Sequence, residues 1–300
     1  MHILLTGGTG LIGRRLCHHW LAQGHRLTVL SRRPADVARL CGAQVKGVES
    51  LQALGDTPID AVINLAGQPI AERPWTGKRR KSLWASRITL TEQLVAWLES
   101  RDQRPEVLIS GSAVGWYGDG GERELDERSQ PVREDFASHL CMAWEETAQR
   151  AETLGIRVAR VRTGLVLASE GGFLARLKLP FKLGLGGPIG DGRQWMPWVH
   201  IDDQIALIDF ILHRSDASGP YNACAPMPVR NREFAHEFGR ALHRPAFLPL
   251  PALLLRAGLG EMSTLLLGGQ RARPTRLQEA GFVFRFETLP EALDELSPRL

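Results

Sequence analysis

The chain of 300 residues is poor in two side chains that acid–base chemistry often needs. It has two tyrosines, Tyr117 and Tyr221, and five lysines, Lys46, Lys78, Lys81, Lys178 and Lys182. Cysteine is scarce too: Cys17, Cys41, Cys141 and Cys224 stand far apart with no Cys-x-x-Cys. That spacing excludes a zinc ribbon and a disulfide framework and predicts reduced, packed thiols with no metal. No apolar run approaches the ~18 residues of a membrane span. Met1-His2-Ile3-Leu4-Leu5 leads straight into a glycine turn, so no leader and a cytoplasmic location are expected. Internal repeats and low-complexity tracts are also missing.

Charge of one sign is nearly missing as well. Thirty-seven basic residues, 32 of them Arg, face 33 acidic ones, a net +4 that makes a weak field. The densest basic run, Lys78-Arg79-Arg80-Lys81, precedes helical apolar positions at Leu83, Ile88, Leu90 and Leu94. It reads as a solvated first helical turn, and no nucleic-acid partner is expected. With 43% hydrophobic and 23% charged residues, the chain has globular composition and the length to bury about three quarters of its unfolded surface.

What is present begins at residue 2. His2 to Thr6 is a short β-rich run, Gly7-Gly8-Thr9-Gly10-Leu11-Ile12-Gly13 follows at once, and Leu11 to Gln23 has helical spacing up to Gly24. Arg26 to Ser31 is a second strand, which completes a βαβ unit of dinucleotide-binding size. Gly7 permits the tight turn, Gly10 lets backbone approach a pyrophosphate, and Gly13 lets the helix lie close on the sheet. Gly7, Thr9, Gly10, Leu11, Ile12 and Gly13 are therefore candidate cofactor contacts, with the helix N-terminus facing the phosphates.

The end of the second strand reads the adenine ribose. Carriers of an Asp or Glu there prefer NAD, whereas a 2′-phosphate needs cationic donors. The chain has Leu30-Ser31-Arg32-Arg33-Pro34, with no carboxylate before Asp36. Ser31 and Arg32 are the expected phosphate ligands, and NADP(H) the expected cofactor.

Strand and helix patterns then alternate: a strand over 61–65, a helix over 83–98, a strand over 106–109, a helix over 136–154 and a strand over 157–167. This predicts an α/β fold with a doubly wound, parallel Rossmann-type sheet and ligands beyond the strands' carboxyl ends. After Leu167, proline-punctuated segments take over. The expected division is a cofactor domain at 1–165 and 194–225, with a smaller C-terminal substrate lobe at 166–193 and 226–300.

The spacing Gly-x-x-Gly-x-x-Gly resembles that of short-chain dehydrogenases/reductases, and Asn64-Leu65-Ala66-Gly67 resembles their Asn-x-Ala-Gly motif. Trp198-Val199-His200-Ile201-Asp202-Asp203 resembles the Val-His-Val-Asp-Asp segment of the extended branch, where His orders a turn; Asp202 and Asp203 read as helix caps. Further segments, Leu248-Pro249-Leu250-Pro251, Gly269-Gln270-Arg271 and Ala280-Gly281-Phe282, extend the resemblance over the whole chain to one atypical extended family, often labelled epimerase family protein or family 39U. Its C-terminal module has no known function. The resemblance adds Leu65, Ala66, Gly67, Ser82, Arg87 and Val166 to the candidate cofactor contacts.

In that branch a Ser and a Tyr hold a sugar hydroxyl, and a Lys four residues after the Tyr acidifies the phenol. Ser112, in Ile109-Ser110-Gly111-Ser112-Ala113, matches the Ser, but Gly121 and Ala225 follow the two tyrosines at that distance. Aligning Glu145 with the family's downstream Glu places Ala137 and Cys141 where the dyad should stand. Ser112 and Tyr117 are thus the candidate catalytic residues, and His200 is the next acid to consider. The expected function is an NADP(H)-binding epimerase or reductase acting on an unknown polar small molecule, a nucleotide sugar among the options. The alternative is a cofactor-binding sensor with little turnover. The oligomeric state is left open.

Overall fold

The computed structural model describes all 300 residues. Seven strands build the central sheet: β1 (His2–Thr6), β2 (Arg26–Leu30), β3 (Lys46–Val48), β4 (Ala61–Asn64), β5 (Val107–Ala113), β6 (Arg157–Thr163) and β7 (Gly219–Ala223). Their order is β7-β6-β5-β4-β1-β2-β3, and every pairing is parallel. Both faces are covered, so the inner strands read as continuous apolar runs: Ile3, Leu4 and Leu5 of β1 and Leu108 and Ile109 of β5 are fully buried. Strand order reverses at β1, which opens a crevice at the carboxyl ends of β1 and β4.

Helix α1 (Leu11–Ala22) lays Leu16, Cys17 and Trp20 on the sheet and stops before Gly24, whose φ of +80° suits glycine. Residues 77–99 form one rod, α2, from Gly77–Trp84 through a π turn at Ala85–Thr89 to Leu90–Glu99. The basic run is indeed its first turn. Arg79 and Arg80 do more than meet solvent: Arg79 bonds Gln68 and Pro69, and Arg80 pairs with Glu261. Helix α3 (Phe136–Gln149) starts from a capping box between Asp135 and Ser138.

The strand expected over 157–167 is two strands. At Gly164 a Cβ would stand 2.2 Å from the Pro197 carbonyl oxygen. There the backbone leaves the sheet, and Leu165–Leu167 pairs instead with Trp198–His200. Beyond this crossing a second core gathers Leu174, Phe181, Trp198, Phe234, Phe238, Leu289 and Leu293.

The aspartates expected as helix caps are not the cap of α4 (Ile201–His213). That role belongs to His200, whose Nδ1 accepts the Asp202 N–H at 3.1 Å. Its Nε2–H donates to Glu295 at 3.0 Å, and its ring packs 4.0 Å from that of Phe286. Asp203 accepts the N–H groups of Arg285 and Phe286 at 2.8 and 3.0 Å. His200 is therefore a buried clasp between the sheet's helix and the C-terminal segment, which removes it as an acid.

Burial holds the His200 pKa below its ordinary 6.5, although Asp202, Asp203 and Glu295 pull it upward. The unfolded chain thus takes up a proton below about pH 6.5 that the folded chain resists, so stability is lost as pH falls. The melting temperature should drop between about pH 7.5 and about pH 5.5, and His200→Asn, which keeps a capping oxygen, should flatten that drop. Equal losses in both proteins would exclude His200 as the source.

Candidate active site

The glycine turn is built around contacts no side chain could share. Gly7 has φ +72°, and a Cβ on it would lie 2.7 Å from the Leu65 carbonyl; a Cβ on Gly13 would lie 2.4 Å from the Gly7 oxygen. Thr6 Oγ1 donates to Asn64 at 2.7 Å and accepts the Ala66 N–H at 3.2 Å, so the ends of β1 and β4 are tied together. Helix α1 then opens with no side-chain cap and no acidic residue in its first turn. Its free N–H groups make a ready anion site, which is what a pyrophosphate requires. Thr9 and Ile12 are half-buried in this turn, and Gly172 stands against Leu11 and the Val166 carbonyl, which brings residue 166 to the helix start.

At the end of β2 the Ser31 hydroxyl oxygen accepts the Arg33 N–H at 3.1 Å, leaving its own proton free to donate. Arg32 is exposed and forms no ion pair, whereas Asp36 is paired with Arg39 at 2.9 Å. On α2, Arg87 lies under Gly67, where a Cβ would meet its guanidinium at 2.8 Å, and donates to the Gln68 carbonyl at 2.9 Å. It has no carboxylate partner, burial lowers its pKa, and its guanidinium sits 5.3 Å from the Trp144 ring. Ser82 is half-buried one helical stretch earlier. The candidate cofactor residues therefore converge on one crevice lined by a glycine cradle, free N–H groups and unpaired cations, a donor set that fits a phosphorylated dinucleotide.

Ser112, at the carboxyl end of β5, donates to Glu145 Oε1 at 2.7 Å. Glu145 is gripped by Arg162, with Nε at 2.8 Å and Nη2 at 2.9 Å, and both partners are at least 95% buried. Arg162 packs 3.6 Å from the Trp116 ring and donates to the Tyr117 hydroxyl at 3.0 Å. None of this ion pair was read from sequence as a site. Arg162 stands in a strand with two further arginines, Arg157 and Arg160, and nothing in that pattern singles it out.

Tyr117 is corrected by the same network. The short turn Val114–Tyr117 drives its ring inward until it is fully buried, and its hydroxyl lies 2.8 Å from both Asn222 Oδ1 and the Asp126 carbonyl. Burial pushes its pKa up. With its ring fully buried and its hydroxyl committed to Asn222, Asp126 and Arg162, Tyr117 is not the acid that the sequence suggested.

A cavity of about 270 Å³ lies between the carboxyl ends of β5 and β6 and the C-terminal segments. Ala113 and Thr163 come from the strand ends, Ala137 and Cys141 from α3, and Phe173, Ile189, Trp195 and Leu266 from beyond the sheet. Ala137 and Cys141 thus face the space where a dyad would work, and neither supplies one. Burial pushes the Cys141 thiol up to about 12, so it stays neutral.

Fold and crevice together define a dinucleotide-binding α/β protein of the Rossmann type. Residues 3–224 match the NAD dependent epimerase/dehydratase family, and residues 250–296 match a domain of unknown function, DUF1731; the chain belongs to that epimerase/dehydratase family. It is 38% identical over 298 residues to epimerase family protein YfhF of Bacillus subtilis, covering 99% of this chain and 98% of the relative. Identity to epimerase family protein Mb2239 of Mycobacterium bovis is 40% over 299 residues, again 99% and 98%. The human epimerase family protein SDR39U1, solved with NADPH, superposes with a TM-score of 0.90 at 35% identity, covering 100% of both chains. The UDP-glucuronic acid 4-epimerase of Bacillus cereus, with a TM-score of 0.81 at 16% identity over 100% of this chain and 98% of its own, shares the fold alone.

Replacing Tyr117 by Phe removes the hydroxyl that Arg162 and Asn222 share. Unfolding by urea should show a loss of about 1–3 kcal/mol, with cofactor affinity unchanged. A stable Tyr117→Phe protein that has lost activity would return the phenol to the chemistry.

Proposed function

We propose that this protein uses NADP(H) to exchange hydride with a hydroxyl- or carbonyl-bearing small molecule held in the cavity, with Ser112 touching the reacting oxygen. When bound, the nicotinamide supplies or accepts the hydride. The observation that carries this reading is the Ser112–Glu145 bond at 2.7 Å, next to Ala113 in the wall of a cavity that no tyrosine or lysine lines.

Because Ser112 gives its proton to Glu145, its oxygen is left to accept a hydrogen bond from a substrate hydroxyl. As an alcohol is oxidised, its proton passes to Ser112 Oγ while the serine proton passes to Glu145; reduction runs the same transfers backward. Arg162 occupies both Glu145 oxygens, so a proton arriving there competes with a hydrogen bond already made, and turnover should be slow. The built cavity next to the cofactor crevice supports an enzyme over a sensor without turnover. The absence of any helix long and apolar enough to cross a membrane and the burial of all four free thiols accord with a cytoplasmic setting.

Two measurements test the reading. Single-turnover oxidation of NADPH by 4-nitrobenzaldehyde, a neutral activated carbonyl, should slow by about 10²-fold or more in Ser112→Ala, with NADPH affinity unchanged. Equal rates in both proteins would remove Ser112 from the chemistry. Free Arg32 and Ser31 support recognition of the 2′-phosphate, so Arg32→Ala should weaken NADPH binding about tenfold and leave NADH binding unchanged. Equal losses for the two cofactors would show that Arg32 does not read the phosphate.

A further inference from the structure

The cavity's charge is unlike that of a site for a nucleotide sugar. No lysine or arginine stands in its wall. Its two charged residues are carboxylates, and both are engaged: Asp119 accepts the N–H groups of Gly121 and Gly269, and Asp135 caps α3 and accepts the Thr264 hydroxyl. The nearby Arg230 and Arg271 stack on Trp195 and pair with Glu122 and Glu124 at 2.6 and 3.4 Å. A diphosphate entering this space would lose its hydration and gain no cation.

The polar groups that remain offer acceptors, with one free N–H on Gln270 beside them. Gln194 uses its amide N–H groups on the Ile189 and Leu266 carbonyls at 3.1 and 2.7 Å, and Gln270 uses one on the Gly118 carbonyl at 2.7 Å. Each is left with an oxygen, which suits a hydroxyl donor and opposes a phosphate. The volume of about 270 Å³ is also below the roughly 300–1,000 Å³ of pockets for drug-sized ligands.

The surroundings continue the apolar character. Ile189 of the cavity wall bridges Leu250, which is 43% exposed, and Phe247, Leu248 and Leu253 next to it are exposed too. We infer that the cavity takes an uncharged, largely apolar molecule bearing one hydroxyl or carbonyl group, and excludes nucleoside diphosphate-linked sugars. The inference rests on the reading of this cavity as the place where substrate reacts, and it departs from the expectation of a polar substrate.

Calorimetric titration tests it with two probes, menthol as a neutral apolar alcohol and UDP-glucose as a nucleotide sugar, with and without NADPH. Menthol should bind at least about tenfold more tightly than UDP-glucose, and Leu266→Asp should weaken menthol at least about tenfold while leaving NADPH binding intact. Phe173→Asp, on the opposite wall, gives the same test should Leu266→Asp fail to fold. Absence of menthol binding, UDP-glucose binding as tightly as menthol, or menthol affinity unmoved by a folded wall variant would each overturn the inference. Failure of NADPH to bind would sink the hydride reading alone, because the menthol titration is also made without cofactor.

Discussion

A buried ion pair, Arg162 with Glu145, organises the region where the sheet meets the cavity. Two charges taken out of water are costly, and their value here is less in stability than in geometry. Glu145 reaches from α3, Arg162 from β6, Ser112 from β5 and Asn222 from β7, so one polar cluster fixes four elements relative to one another. Each partner is saturated: the carboxylate takes three bonds, and the guanidinium bonds two residues and packs on Trp116. Removing either member would strand a charge in the core.

That saturation shapes the chemistry available. The polar groups beneath the reaction space are spent on one another, and Ser112 is the member placed next to the cavity wall. Above it, Ala137 and Cys141 keep the wall small and neutral. The site joins a strongly anion-seeking crevice, made of glycines, helix N–H groups, Arg32 and Arg87, to a chamber with no cation. The two halves of the cleft thus differ in charge.

The glycine turn of this cleft was legible in the sequence because its requirements are local. Gly7, Gly10 and Gly13 act within seven residues, and Ser31-Arg32 replaces a carboxylate at one known strand end. The catalytic half was legible as an absence, the missing Tyr and Lys, but its content was not. Glu145 and Arg162 are 17 residues apart, and Tyr117 and Asn222 are 105 apart; no periodicity reports such pairings. Tyr117 misled because a short turn after β5 reverses side-chain direction, which a strand pattern cannot show. His200 was legible as an ordering residue, while its bond to Glu295, 95 residues on, was hidden.

The position of β7 has a bearing on how the chain comes to be folded. Gly219–Ala223 is added to the edge of β6 after the lobe helix Gly172–Lys182 has been made. Without β7 the β6 edge would offer unpaired N–H and C=O groups, the kind of surface that recruits other chains. β7 closes that rim, and it can do so only once residue 223 has been synthesised.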